Sequence, residues 1–265
     1  MQSLTKLVVE GCVAELVMNR PLAANALSRA LIEEMSKQLD AIARRTDVHV
    51  IILGAEGRNF CAGMDLVEAS TATAAEIASN AASLAALSRR LREHRFPVVA
   101  RVQGAASAAG LELAMSCDLV YAARSSRFAT PGIKVGMWCM TPMVPLTRAI
   151  GARKAAEMLL LGHSVDAATA LQIGMVTDLF DDDVLVSRVR AIALALTASS
   201  PSVMAIGRRA LKEQAGMDFH AAYERALQGV AENAADPDAR EGMRAFAEKR
   251  APKWAPLVQA PESGD

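Results

Sequence analysis

Apolar residues cluster on both sides of Glu10-Gly11 in "LVVEGCVAELVMN", the pattern of two short strands joined by a hairpin turn. In "LSRALIEEMSKQLDAIARR", Leu27, Leu31, Met35, Leu39 and Ile42 recur at three- and four-residue intervals, which predicts an amphipathic helix. Ser28 is its expected N-cap, and Leu27 with Ile32 the staple around it. "VHVIILG" (48–54) is continuously apolar, as in a strand buried on both faces. The pattern then repeats: an Ala-rich helix over about 74–94, a buried strand at "PVVARVQG", a short apolar helix, and a third strand at "LVYAA". Such alternation predicts an α/β fold with crossover connections and a mainly parallel sheet.

After about Thr141 the periodicity is helical, with one late strand at "GMVTDLF". From Pro201 it stays helical until the tail "APKWAPLVQAPESGD". No low-complexity linker divides the chain. Residues 1–195 read as the core, and 196–265 as a helical region attached to the same domain or serving as its assembly surface.

Composition narrows the function. At 265 residues and 52% hydrophobic, the chain can bury a large core and is not disordered. Lys+Arg and Asp+Glu both number 29, so no charge footprint for nucleic acid or an anionic membrane is present. No apolar run approaches the roughly 20 residues of a membrane span. "MQSLTKLVVEG" has neither the basic nor the apolar segment of a signal peptide. Cys12, Cys61, Cys117 and Cys139 lack CxxC pairing or a His partner at ligand spacing, so reduced thiols and no metal are expected. These features predict a soluble, cytoplasmic protein, and the apolar-rich, uncharged composition predicts an oligomer.

Three loops follow the predicted strands, where ligands of open parallel sheets gather. The first, "GRNFCAGMDL" (57–66), offers backbone N–H groups in a Gly-containing turn, with Asp65 readable as a helix cap. The second, "VQGAASAAGLELAMSCD" (102–118), carries small residues into a helix start, suited to a developing oxyanion or simply to tight packing. Glu112 stands one turn into that helix among Leu111, Leu113, Ala114 and Met115. A carboxylate in such surroundings is costly unless paired or raised in pKa, and a raised pKa suits a general acid or base. A solvent-facing or salt-bridged Glu is the alternative. The third loop, "RFATPGIKVGMWCMTP" (127–142), has no carboxylate at all.

"NRPLAANALS", "FCAGMDL", "VQGAASAAGLELAMSCDLVYAARSSRFATPGIKVG" and "TRAIGARKAAEMLLLGHSVDAATALQIGMV" together resemble the crotonase family, the enoyl-CoA hydratase/isomerase superfamily. The resemblance implies a crotonase-like spiral of β-β-α units with a C-terminal helical region, and homotrimers or dimers of trimers. It implies an acyl-CoA or enoyl-CoA substrate, with coenzyme A as part of the thioester and no permanently bound cofactor. The thioester oxygen would be held by the N–H groups of Met64 and Ala109. Leu22, Ala24, Ala62, Gly63, Asp65, Leu66, Ala108, Gly132 and Trp138 would border the substrate.

Hydratases of the family use two glutamates. The first matches Glu112; the second would fall twenty residues on, in a stretch resembling F-x-x-P-E-x-x-x-G, where this chain has Gly132. The following "MWCMTPMVPL" resembles that of a divergent hydratase-domain-containing subgroup. Its Met137, Met140 and Met143 read first as core packing, and Cys139 has no His partner to make it a nucleophile. Two functions lead, with thioester hydrolysis or decarboxylation in the same oxyanion hole as a third option. One is a lyase or isomerase of acyl-CoA (fatty-acid-type) metabolism with Glu112 as single acid/base, favouring isomerase-type proton transfer over efficient hydration. The other is a CoA-thioester-binding protein with little turnover. His49, His94, His163 and His220 read as structural, Asp118 as a cap or turn residue, and no nicotinamide fingerprint is present.

Overall fold

The computed structural model describes residues 3–257; the end of the tail, 258–265, lies outside them. β1 (Thr5–Glu10) and β2 (Val13–Met18) form the expected antiparallel hairpin, with Glu10 opposite Val13 and Gly11 at φ +58° in the turn. α1 (Arg29–Ala43) follows, capped by Ser28, whose Oγ accepts from Leu31 N at 3.3 Å. Its buried stripe is Leu31, Ile32, Met35, Leu39 and Ile42. Leu27 stands outside the helix. Its N–H donates to Gly63 O (2.8 Å) and its carbonyl accepts from Asp65 N (3.2 Å), so this residue braces the first loop.

β3 (Val50–Ala55) runs parallel to β2 and every residue of it is buried, as its unbroken apolar run requires. The short α2 (Leu66–Ser70) and long α3 (Ala74–Glu93) come next; Thr73 and Glu76 close a capping box at the start of α3. β4 (Val98–Val102), β5 (Ala105–Ser107), α4 (Ala109–Met115), β6 (Leu119–Ala123) and β7 (Arg127–Ala129) complete two further turns of chain. After a 3-10 helix (Pro131–Val135) come α5 (Met143–Leu161), β8 (Ser164–Asp166), α6 (Ala167–Gln172), β9 (Asp178–Phe180) and α7 (Leu185–Leu196). Gly151 interrupts α5 with φ 77°, ψ 160°.

The strands form a six-stranded sheet, β1-β2-β3-β4-β6-β9, parallel throughout except for the hairpin, and a small sheet, β5-β7-β8. Successive turns place one strand in the large sheet and one short segment in or beside the small one. Cys61, β5 and β7 fill that second role after β3, β4 and β6, with Cys61 bridging to Ala106. This is the β-β-α spiral. The small sheet is absent from the hydrophobic pattern because three-residue strands are too short to show a period of two.

α8 (Pro201–Gln214), α9 (Phe219–Ala235) and α10 (Pro237–Ala247) lie beyond α7. α8 is tied to the core through Asp118, which pairs with Arg208 (2.5 Å) and Lys212 (2.6 Å) and accepts from Val98 N (2.8 Å). Asp118 is therefore a half-buried ionic anchor rather than a simple cap. Among the described residues no single helix is long and apolar enough to cross a membrane.

Candidate active site

A cavity of about 310 Å³ opens where the first and second loops meet. Ile77, Asn80, Ala81 and Leu84 of α3 form one wall; Ala62, Met64, Ala108 and Ala109 form its floor. The opposite wall is 131–142, including Gly132, Met137, Trp138 and Thr141.

The first loop is held rigidly. Phe60 N donates to Gln103 O (2.8 Å), Cys61 N to Ala105 O (3.0 Å), and Ala62 N to Ala24 O (3.0 Å). Gly63 adopts φ +106°, and a Cβ there would stand 3.0 Å from Ser107 O and 3.2 Å from the Ala108 methyl. Only glycine satisfies both the dihedral and the close approach. The next N–H, that of Met64, has no protein acceptor among the described residues. Neither has that of Ala109, the first residue of α4. The two loops thus bring two uncommitted main-chain donors to one cavity.

Ala109 is helical and does not need glycine's freedom. The unusual backbone belongs to Ala108, at φ 46°, ψ −115°, whose N–H donates to Ala129 O (2.9 Å). An alanine there is strained, and β7 holds it in place.

Glu112 is 2% exposed. Its Oε1 accepts from Ser88 Oγ at 2.9 Å and its Oε2 from Thr141 Oγ1 at 2.6 Å. Burial pushes the carboxyl above the usual carboxylate range, and the Thr141 and Ser88 hydroxyls oppose the rise. The solvent-facing and salt-bridged alternatives are excluded. Glu112 is not on the cavity surface, however; Thr141, its partner, is. Sequence reasoning missed both hydroxyls. Ser88 had a signal, since it sits among Leu84, Leu87 and Leu91 on the buried face of α3. Thr141, in a loop, had none.

Gly132 marks no empty half-site. Its carbonyl accepts from Met137 N (2.9 Å), and a Cβ on it would lie 2.5 Å from Met137 O and 2.9 Å from Cys139 Sγ. The loop has closed over the place where a side chain would start. Cys139 is buried, its thiol raised in pKa by burial and by the charge of Glu112, which removes it as a nucleophile. Of the methionines expected in the core, only Met143 packs against it. Met137 and Met140 are exposed at the cavity rim, the latter by 61%, because the turn carrying them lies outside the sheet layers.

The other anticipated positions divide between the cavity and its supporting shell. Ala62, Leu66, Ala108, Gly132 and Trp138 line it; Leu22, Ala24, Gly63 and Asp65 do not. Leu22 projects fully from a 3-10 helix (Pro21–Ala23), and Ala24 supports the first loop through its carbonyl. Asp65 is a helix cap, accepting from Val67 N (3.0 Å) and Glu68 N (3.1 Å) and pairing with Arg20 (2.6 Å). Burial acts against its charge, but Arg20 and the two N–H groups outweigh it and hold the carboxyl below its ordinary range. With its carboxylate committed to these partners, Asp65 serves the loop's shape.

The family model described as enoyl-CoA hydratase/isomerase matches residues 9–256. The chain is 35% identical over 254 residues to the mitochondrial enoyl-CoA hydratase domain-containing protein 3 of Danio rerio, covering 96% of this chain and 88% of that protein. It is 34% identical to the 2,3-dehydroadipyl-CoA hydratase of Escherichia coli, covering 90% and 93% respectively. Among solved structures, an enoyl-CoA hydratase of Mycobacterium smegmatis superimposes with a TM-score of 0.92 at 35% identity, covering 96% of this chain and 99% of that one. The human enoyl-CoA hydratase domain-containing protein 3 does so with 0.92 at 33%, covering 95% and 100%. A β-β-α spiral matched nearly end to end, with a family model spanning 9–256 and relatives 34–35% identical over nine-tenths of the chain, places this protein in the enoyl-CoA hydratase/isomerase (crotonase) family.

Proposed function

We propose that the protein processes acyl-CoA or enoyl-CoA thioesters by isomerase-type proton transfer, with Glu112 as its single acid/base. The observation that carries this reading is the pairing of two unpartnered N–H groups, Met64 and Ala109, with the buried Glu112 carboxylate, while no Asp or Glu is among the described residues that line the cavity. A thioester oxygen bound by both donors gains charge as a proton leaves the adjacent carbon, and fixed donors stabilise the resulting enolate. One such donor contributes about 2.7–4 kcal/mol to a transition state. Returning the proton at the α-carbon or at the vinylogous carbon requires one base. Efficient hydration calls for a second group to manage water, and Gly132 leaves no room for one. No resident metal or cofactor enters this reading; coenzyme A arrives with the substrate.

The burial of Glu112 behind Thr141 favours a second reading, a CoA-thioester-binding protein with little turnover. Mass spectrometry of saturated and enoyl-CoA thioesters incubated with the protein in D₂O separates the two. The expected result is enzyme-dependent deuterium uptake without water addition, falling about 10²–10⁴-fold in Glu112→Gln. Prompt hydration would overturn the preference for proton transfer. Tight binding with unchanged masses would establish the second reading.

The proposed assembly is a homotrimer or a dimer of trimers, with the C-terminal helices as its contact surface. α8 buries only Pro201 and α9 only Gly229, while Tyr223, Leu227 and Val230 form an exposed apolar stripe along α9. Further copies of the chain would cover that stripe.

A further inference from the structure

The two oxygens of Glu112 are held by different layers of the protein. Oε1 is tied to Ser88, which belongs to the buried face of α3 and does not reach the cavity. Oε2 is tied to Thr141, which does line the cavity. The carboxylate itself lies behind that wall. We infer that Thr141 is the positioning residue for Glu112: its hydroxyl holds Oε2 at the cavity face and covers it, so that this one side chain governs how the carboxylate meets a bound ligand. This inference deepens the proton-transfer reading and rests on it for the identity of the ligand.

The geometry supports the assignment in three ways. At 2.6 Å the Thr141–Oε2 bond is in the range of a hydroxyl donating to a carboxylate, and it is the shorter of the two hydrogen bonds that the Glu112 carboxylate accepts. Thr141 immediately precedes Pro142 and the start of α5, so its backbone is anchored next to a helix rather than in a free loop. Its hydroxyl has one proton, given to Oε2, and keeps acceptor capacity for a group in the cavity. Rotation of this side chain about χ1 would break the bond to Oε2 and uncover the carboxylate.

The groups facing Glu112 are few, which makes the effect readable. α3 contributes Ser88, the wall segment contributes Thr141 and the Cys139 thiol, and Glu112's own helix contributes no other titratable side chain. A hydroxyl donated to a carboxylate favours its charged form, so removing Thr141's hydroxyl would move Glu112's titration to higher pH. Removing a positioning hydrogen bond lowers turnover more than binding.

Thr141→Val keeps the branched shape and deletes the donor; Thr141→Ser keeps the donor. The infrared carboxyl band of Glu112, identified by its loss in Glu112→Gln, is followed against pH in the free protein, and α-hydrogen exchange in D₂O is followed with a thioester that the wild type deuterates. Thr141→Val is expected to raise the midpoint of the band and lower the exchange kcat about tenfold or more with KM changed less than about threefold. Thr141→Ser is expected to restore both. An unchanged midpoint and kcat in Thr141→Val, or a folded Thr141→Ser that behaves like Thr141→Val, would overturn the inference. Should the wild type exchange no thioester, the proton-transfer reading fails and the infrared titration decides alone: a raised midpoint in Thr141→Val supports the positioning role, and an unmoved one ends it.

Discussion

Gly132 and Glu112 show how differently two residues of one site respond to substitution. The missing carboxylate at 132 cannot be supplied by a point change, because Met137 O and Cys139 Sγ already occupy the first ångströms of any side chain there. Gly132→Glu is expected to destabilise the protein by about 1–3 kcal/mol, the scale of an overpacked site. It is not expected to produce water addition to an enoyl thioester. Urea unfolding and the same mass assay check both halves, and a stable variant that hydrates would show that the loop yields. Glu112, in contrast, sits in a socket shaped for a carboxylate, with one hydroxyl on each oxygen. The sequence displayed the carboxylate and its apolar neighbours but not the hydroxyls, which arrive from residues 24 and 29 positions away.

At the scale of elements, the end of α3 and the face of α8 form a joint that should titrate. His94, the C-cap of α3, is buried, and Arg208 of α8 donates to its carbonyl as well as to those of Leu91 and Arg92. Burial first, then the nearby charges of Arg208 and Arg95, push the His94 imidazole down to about 4. Between the unfolded value near 6.5 and this folded value, the unfolded chain binds a proton that the folded one refuses. Stability is therefore complete above about pH 6.5 and is lost as the pH falls towards 4, by about 3 kcal/mol at most for this one group. Denaturant unfolding at pH 7 and pH 4.5 is expected to show a smaller pH-dependent loss in His94→Phe than in the wild type. Equal losses in the two proteins would mean that His94 is not refusing its proton. The helical pattern located this residue at an element end, but its burial depends on α8 folding back over it from more than a hundred residues away.

For the whole molecule, the strongest expectation concerns assembly. The α9 stripe of Tyr223, Leu227 and Val230, together with Phe246 at 87% exposure on α10, leaves more apolar side chain in water than the core-facing helices do. Light scattering on the wild type is expected to give the mass of a trimer or of a dimer of trimers. Leu227→Glu with Val230→Glu is expected to reduce it, since burying two carboxylates without partners opposes association. A monomeric wild type would remove the assembly role from this face.

Local pattern determined the elements that are long enough to repeat. The hairpin, the capped α1, the buried β3, β4 and β6, and the Ala-rich α3 all follow from periodicities of two or of three to four, because each buries one face or both against a layer. The family motifs likewise marked the two donor loops, since a main-chain N–H is presented by backbone shape and that shape is written in nearby glycines and alanines. Tertiary structure alone decided the rest. The three strands of the small sheet exist only because the turns of the spiral stack, and Asp118 becomes an ionic anchor only when α8 docks. Met137 and Met140 leave the core for the cavity rim, and Asp65 gains Arg20 as an ion-pair partner from 45 residues away. Glu112 disappears behind Thr141 for the same reason: a charge's environment is set by whatever packs against it, and those partners come from distant parts of the chain.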